Sequence, residues 1–276
     1  MDQAVIQTAN LRIPRLGLGT WPMKGAECQQ AVESALGLGY RHVDTAEMYG
    51  NEDAVGAGLK ASGLRREEVF VTTKVWNDKP RGDQIRAALE ASLTRLGTPH
   101  VDLFLIHWPS PQLDLDGALR ALARAREEGL AKAVGVSNFP PGLLRRALES
   151  GLAPIACLQV EFHVFLDQSR LLEICRRHDV ALTAYSPLAK GEAGADPVVA
   201  RIAAKHGATG GQVALAWLLA QDGVAAVPKA ASPARQRENL GALGLRLDAE
   251  DMAAIAALPK GRRYVNPAGL APDWDA

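Results

Sequence analysis

The chain is 276 residues long, with 47% hydrophobic and 22% charged residues, which suits a folded globular protein whose core needs no disulfide or structural metal. Lys+Arg and Asp+Glu both total 31, so there is no net basic field to draw in nucleic acid or an anionic membrane. Cys28, Cys157 and Cys175 are far apart and form no C-x-x-C, the first residues do not read as a signal peptide, and no apolar run is long enough to span a bilayer, so the expected location is the cytoplasm.

Two textures alternate along the chain. Residues 5–15 read as a small hairpin. Short apolar runs then recur at 16–19, 41–44, 69–75, 101–106, 131–136, 155–160, 180–185 and 224–227, each the length of a buried strand. Between them lie stretches of helical periodicity at 27–38, 52–62, 82–96, 114–128, 141–150, 169–178, 198–206, 210–219 and 233–243. A last helix is expected over 248–258, with Asp248 as N-cap and Asp251 completing a capping box. Eight strands alternating with helices predict a parallel sheet with right-handed crossovers. At this length a closed (β/α)8 TIM barrel fits best, as one domain over 1–276 with an N-terminal hairpin, an extra C-terminal helix and a tail. A doubly wound open sheet is the competing fold, but no G-x-G-x-x-G follows the first strand and no Walker-type loop is present.

Function in such a barrel sits at the C-terminal ends of the strands. The second, third and fourth strands deliver Asp44, Tyr49, Lys74 and His107 to one mouth. Singly, each has an ordinary structural role: a turn cap, a loop aromatic, a snorkelling lysine, a core histidine. Together they suit acid–base chemistry. A free tyrosine, with a pKa of about 10, is a poor catalyst near neutrality. A buried ammonium beside it is expected to lower that value, and Asp44 can offset the ammonium's desolvation. A neutral histidine can orient a substrate oxygen. Trp21, Trp76 and Trp108 follow strand ends and Trp274 lies in the tail; with Met48 they could wall an apolar pocket, or simply plug gaps between loops.

The later strands carry different groups. Asn138 and Gln159 have amide side chains that could hold a carboxamide, and Tyr185 could stack on a flat ring; a turn cap and a buried backbone partner are equally open readings for the two amides. After the eighth strand, Ser232-Pro233 reads as an N-cap with proline at N1, and Lys229 and Arg235 add positive charge where a helix N-terminus already attracts anions. No metal-binding motif appears, so none is expected to be bound.

The strings Gly17-Leu18-Gly19-Thr20-Trp21, Asp44-Thr45-Ala46 through Tyr49-Gly50-Asn51-Glu52, Lys74-Val75-Trp76, His107-Trp108-Pro109, Gly135-Val136-Ser137-Asn138-Phe139 and Val227-Pro228-Lys229 resemble the aldo-keto reductase family. The resemblance spans essentially the whole chain and implies a barrel that binds extended NADPH and reduces an aldehyde or ketone to an alcohol. It implies Tyr49 as proton donor, Lys74 and Asp44 as its support, and His107 as director of the carbonyl. It further implies Ser137, Asn138 and Gln159 at the carboxamide, Tyr185 against the nicotinamide, and Ser186 and Leu188 along the pyrophosphate. Lys229, Ser232, Arg235, Glu238 and Asn239 would surround the adenosine 2′-phosphate. Ala230 departs from the pattern, standing where many members have a serine. The short tail is similar to that of bacterial 2,5-diketo-D-gluconate reductases, which points to 2,5-diketo-D-gluconate or small dicarbonyls such as methylglyoxal. The expected partner is a small-molecule carbonyl, with the chain acting as a monomer. A cofactor-binding regulatory protein of the channel β-subunit type is the competing class, because the same four polar residues fit it.

Overall fold

Strands apolar on both faces are stable only where both faces are covered, and the computed structural model, which describes residues 4–275, meets that demand. Eight parallel strands form the sheet: β3 (Leu18–Gly19), β4 (His42–Asp44), β5 (Phe70–Val75), β6 (Val101–Ile106), β7 (Ala131–Ser137), β8 (Ile155–Glu161), β9 (Ala181–Tyr185) and β10 (Val224–Ala226). Each pairs with its successor, and the sheet closes on itself where Leu16 bridges Ala226 and Gly19 bridges Lys229. The result is the (β/α)8 barrel expected from the alternation. Gly19 makes the closing seam possible, since a Cβ there would lie 2.6 Å from the carbonyl oxygen of Val227; a Cβ on Gly17 would lie 2.6 Å from Nδ1 of His42 in β4.

The hairpin forms from β1 (Val5–Gln7) and β2 (Arg12–Pro14). Its Ile6, Leu11 and Ile13 join Phe70, Leu103, Leu105 and small residues of the barrel strands in one buried cluster, so the lower barrel interior is filled. The larger core lies between the sheet and its helices. These are α1 (Gly25–Gly37), α2 (Glu52–Ala61), α3 (Gly82–Leu96), α4 (Leu115–Glu127), α5 (Pro141–Glu149), α6 (Ser169–Arg177), α7 (Glu192–Ala195), α8 (Pro197–His206), α9 (Gly210–Leu219), α10 (Pro233–Gly241) and α11 (Ala249–Ala256). Ser232 caps α10 and Asp248 caps α11 with Asp251 in a reciprocal box, as their sequence signals predict. The four-residue α7 has no counterpart in the sequence reading, because Gly-Glu-Ala-Gly-Ala-Asp-Pro is too short and glycine-rich to show a period.

His42 in β4 is fully buried, with Nε2 3.2 Å from Oγ1 of Thr72. Burial lowers its pKa to about 4, with the Asp44 charge opposing only part of the effect. The folded protein therefore holds His42 neutral, while the unfolded chain takes up a proton below the ordinary value of 6.5. Stability should fall as pH drops from 6.5 to about 4, by about 3 kcal/mol from this residue, and level off below that. Denaturant titrations across that range in the unsubstituted chain and in His42→Gln check the expectation; identical acid limbs would assign the effect elsewhere.

Candidate active site

Asp44 ends β4, and the chain then runs extended through Ala46 into a single 3-10 turn, Glu47–Tyr49, stopped by Gly50 at φ 56°. Buried Asn51 fixes this turn: its Oδ1 accepts from Thr45 Oγ1 at 2.7 Å and its Nδ2 donates to the carbonyls of Met23 (2.9 Å) and Thr20 (3.3 Å). Tyr49 is thereby held against the neighbouring strand. There Lys74 is fully buried, and its three donors are all committed, to Asp44 Oδ1 at 2.6 Å, the Thr45 carbonyl at 2.8 Å and the Tyr49 hydroxyl at 3.5 Å. The other Asp44 oxygen accepts from Gln159 Nε2 at 2.7 Å. His107, just past β6, sets its ring edge-on to Tyr49 and Trp76, at 5.6 and 5.2 Å between centroids. Its Nδ1 is buried without a hydrogen-bond partner among the described residues.

The electrostatics correct one expectation. Tyr49 is pushed well above the ordinary tyrosine value, first by burial and then by the charge of Asp44. The Lys74 ammonium does not reverse this, because it is compensated by Asp44 at 2.6 Å and stands 3.5 Å from the phenol. Lys74 itself is lowered by burial, against the pull of Asp44. His107 is lowered well below its ordinary value by burial and then by Lys74. Near neutrality the cluster therefore presents a protonated phenol and a neutral imidazole.

These groups form the floor of a cavity of about 680 Å³ walled by Trp21, Met48, Trp76 and Trp108. Trp274 is not part of that wall. It packs behind it, edge-on to Trp108 at 6.0 Å and under the Arg263 guanidinium at 3.7 Å. The tail instead contributes Tyr264, Val265, Asn266, Pro267 and Leu270 to the lining. Only the tail's tryptophan stood out in the sequence; its lining residues have neither period nor charge to mark them.

On the far side of the cavity lie Asn138, Tyr185 and Ser186. Asn138 and Ser186 are left-handed non-glycine residues, at φ 60° and 48°, a conformation that marks strand-end loops under constraint. Asn138 Nδ2 donates to the His107 carbonyl (2.9 Å) and to Ser137 Oγ (3.1 Å), and its Oδ1 accepts from the Tyr185 hydroxyl (2.7 Å). Ser137 and Gln159 are buried behind this wall, and Gln159 serves Asp44.

A second cavity, of about 570 Å³, continues past Lys229, which lines both. Leu188, Arg235, Glu238 and Asn239 face it, as do Gly191, Gly194 and the Thr209–Gly211 start of α9. A Cβ on Gly210 would collide with the backbone of Gly194, so this part of the groove is bare main chain. The glycine-lined portion was not foreseen; the capping box of Thr209 and Gln212 was its one available signal. Ser232 is occupied as the α10 cap, and Arg235 pairs with Glu238 at 2.6 Å, whereas Lys229 is exposed and makes no ion pair among the described residues. Two cavities that share Lys229 in their lining, with amide and aromatic groups at one end and cations at a helix N-terminus at the other, suit an extended dinucleotide. Among the described residues no group of three or more His, Cys, Asp or Glu is placed to hold a metal, and no helix is long and apolar enough to cross a membrane.

Residues 15–260 match the model of the aldo/keto reductase family. The chain is 42% identical over 268 residues to a protein of Escherichia coli O157:H7 named methylglyoxal reductase DkgB, covering 96% of this chain and all of that one. It superposes with a TM-score of 0.96 and 43% identity on a crystal structure described as a candidate 2,5-diketo-D-gluconic acid reductase B, covering 99% and 98% of the two chains. A mutant of Gox0644 in complex with NADPH superposes with a TM-score of 0.89 at 36% identity, over 96% and 97% of the chains.

Proposed function

The chain belongs to the aldo/keto reductase family, and on that premise we propose that it is an NADPH-dependent carbonyl reductase that converts a small dicarbonyl, such as 2,5-diketo-D-gluconate or methylglyoxal, to the alcohol. The observation that carries the reading is a protonated, half-buried phenol whose only charged neighbour within hydrogen-bonding range, among the described residues, is a compensated ammonium, at the floor of a largely apolar cavity. When bound, the reduced nicotinamide supplies the hydride. Tyr49 then gives its proton to the carbonyl oxygen, and Lys74 faces the phenolate as it forms. Asp44 keeps Lys74 charged. His107, neutral, orients the oxygen. Asn138, with Ser137 and Gln159 behind it, and Tyr185 would hold the nicotinamide end of the cofactor, and Ser186 and Leu188 would lie along its pyrophosphate. Relatives named as reductases favour an enzyme over a channel subunit. Initial rates of NADPH oxidation with methylglyoxal and with 2,5-diketo-D-gluconate test the proposal, and no turnover of either would refute it.

The preference for NADPH rests on Lys229 and Arg235, since Ala230 is buried and offers no hydroxyl. Arg235 is exposed and held by Glu238, so its contact with a phosphate is screened and lies at the lower end for a charge-assisted bond. Arg235→Met should weaken NADPH by about tenfold and NADH little. Fluorescence titration with both cofactors measures this; equal losses for the two would place Arg235 away from the 2′-phosphate.

A further inference from the structure

Glu161, the last residue of β8, takes no part in the proposed chemistry, yet its side chain is fully buried. A buried carboxylate is costly unless saturated with donors. Here Oε1 accepts from the backbone N–H of Tyr264 at 2.7 Å and Oε2 from that of Val265 at 2.9 Å. His163 Nε2 lies 3.0 Å from Oε1; the N–H of Phe165 donates to Nδ1 of the same ring, which leaves the Nε2 hydrogen to point at the carboxylate. Arg263 stands 3.9 Å away. Burial pushes the Glu161 carboxyl up, but these donors outweigh it and keep the group below its ordinary range, so it stays charged.

The partners are the decisive feature. Among the described residues, the only backbone N–H groups of 263–275 that donate to the barrel are those of Tyr264 and Val265, and both go to Glu161. The same two residues open the stretch of tail that lines the cavity above Tyr49 and His107. Beyond them the tail bonds mostly to itself, as in the turn from Pro267 to Leu270. We propose that Glu161 is a positioning residue that fixes the tail as the substrate-facing wall and so determines which carbonyl compounds bind. It touches neither substrate nor cofactor. It acts through two main-chain bonds, so it can hold the wall in place whatever side chains the tail carries.

The test uses the full chain with Glu161→Gln, which keeps the size and turns an acceptor oxygen into an amide donor facing a tail N–H. Hydrogen exchange at Tyr264 and Val265 should quicken by about tenfold or more, with the barrel strands unchanged. On the reductase reading, KM for 2,5-diketo-D-gluconate should rise by about tenfold relative to KM for methylglyoxal, because the larger substrate reaches the tail. NADPH affinity should hold within about twofold, since no cofactor contact is removed. Glu161→Asp, which keeps the charge but falls short, should show the same pattern at smaller amplitude and serves if the amide variant does not fold. Unchanged exchange at 264 and 265, faster exchange shared evenly with the barrel strands, or an unchanged KM ratio would each overturn the proposal. If the unsubstituted protein reduces no carbonyl, the reductase reading fails, while the exchange measurement still decides whether Glu161 holds the tail.

Discussion

Tyr49→Phe is expected to lower turnover by about 10²–10⁴-fold, the usual contribution of a positioned general acid. The ring stays, so its packing against Trp21 at 5.2 Å and His107 at 5.6 Å is retained and the fold should be intact. Only the hydroxyl is removed, and with it the proton that the carbonyl oxygen receives in the proposed mechanism. NADPH affinity should be unchanged within a small factor. The raised Tyr49 pKa adds a pH signature. An acid must be protonated to act, so ionisation of Tyr49 should cause no loss of reduction rate below the ordinary value of 10.0. Steady-state rates of both proteins against pH, beside cofactor titrations, measure all three quantities. Near-normal turnover in a folded Tyr49→Phe protein would remove the phenol from the mechanism.

Breaking the Lys74–Asp44 pair should have the largest effect on stability. Both side chains are almost wholly inaccessible, at 0% and 4% exposure, and 2.6 Å apart. Lys74→Met leaves Asp44 charged with Gln159 as its remaining side-chain partner. Asp44→Asn leaves an ammonium in the barrel with neutral acceptors alone in hydrogen-bonding range, the new amide oxygen, the Thr45 carbonyl and the Tyr49 phenol. Removing one member of such a pair costs about 3–5 kcal/mol, because the other is left uncompensated. Removing both should cost much less than the sum of the two. Turnover should drop in each single variant by about 10²-fold or more, since the forming phenolate loses its counter-charge. Chemical denaturation and rates of the two single variants and the double variant close the cycle. Additive losses in stability and in log rate would show that the two residues act independently.

The barrel was legible because β-strands and helices differ in period, and this chain switches between them at regular intervals. The strand ends then followed, and so did the meeting of Asp44, Tyr49, Lys74 and His107. Three things were not legible. The sign of the Tyr49 shift depends on whether burial or the ammonium prevails, and that rests on a 3.5 Å separation and on Asp44's hold over Lys74, neither of which a sequence encodes. Ser137 and Gln159 fall near Asn138 and Tyr185 in the sequence reading, but their burial behind that wall of the cavity is not readable from the sequence. Trp274 is marked by its size, whereas the tail residues that line the cavity are Tyr264, Val265, Asn266, Pro267 and Leu270, four of them of types that mark no function by themselves. Glu161 is the converse case: a charged residue at a strand end whose partners are main-chain amides about a hundred positions later.

The hairpin at the other end of the barrel has a consequence for how the protein can change over generations. Ile6, Leu11 and Ile13 fill the lower interior with Phe70, Leu103 and Leu105, and none of these residues lines either cavity. On the proposed function, the residues that fill the barrel and those that select the substrate therefore lie at opposite ends of it. A lineage can repack the plug to survive heat, or vary its loops and tail to accept a new compound, without each change undoing the other. Proteins that must strengthen and specialise through the same residues lack that freedom.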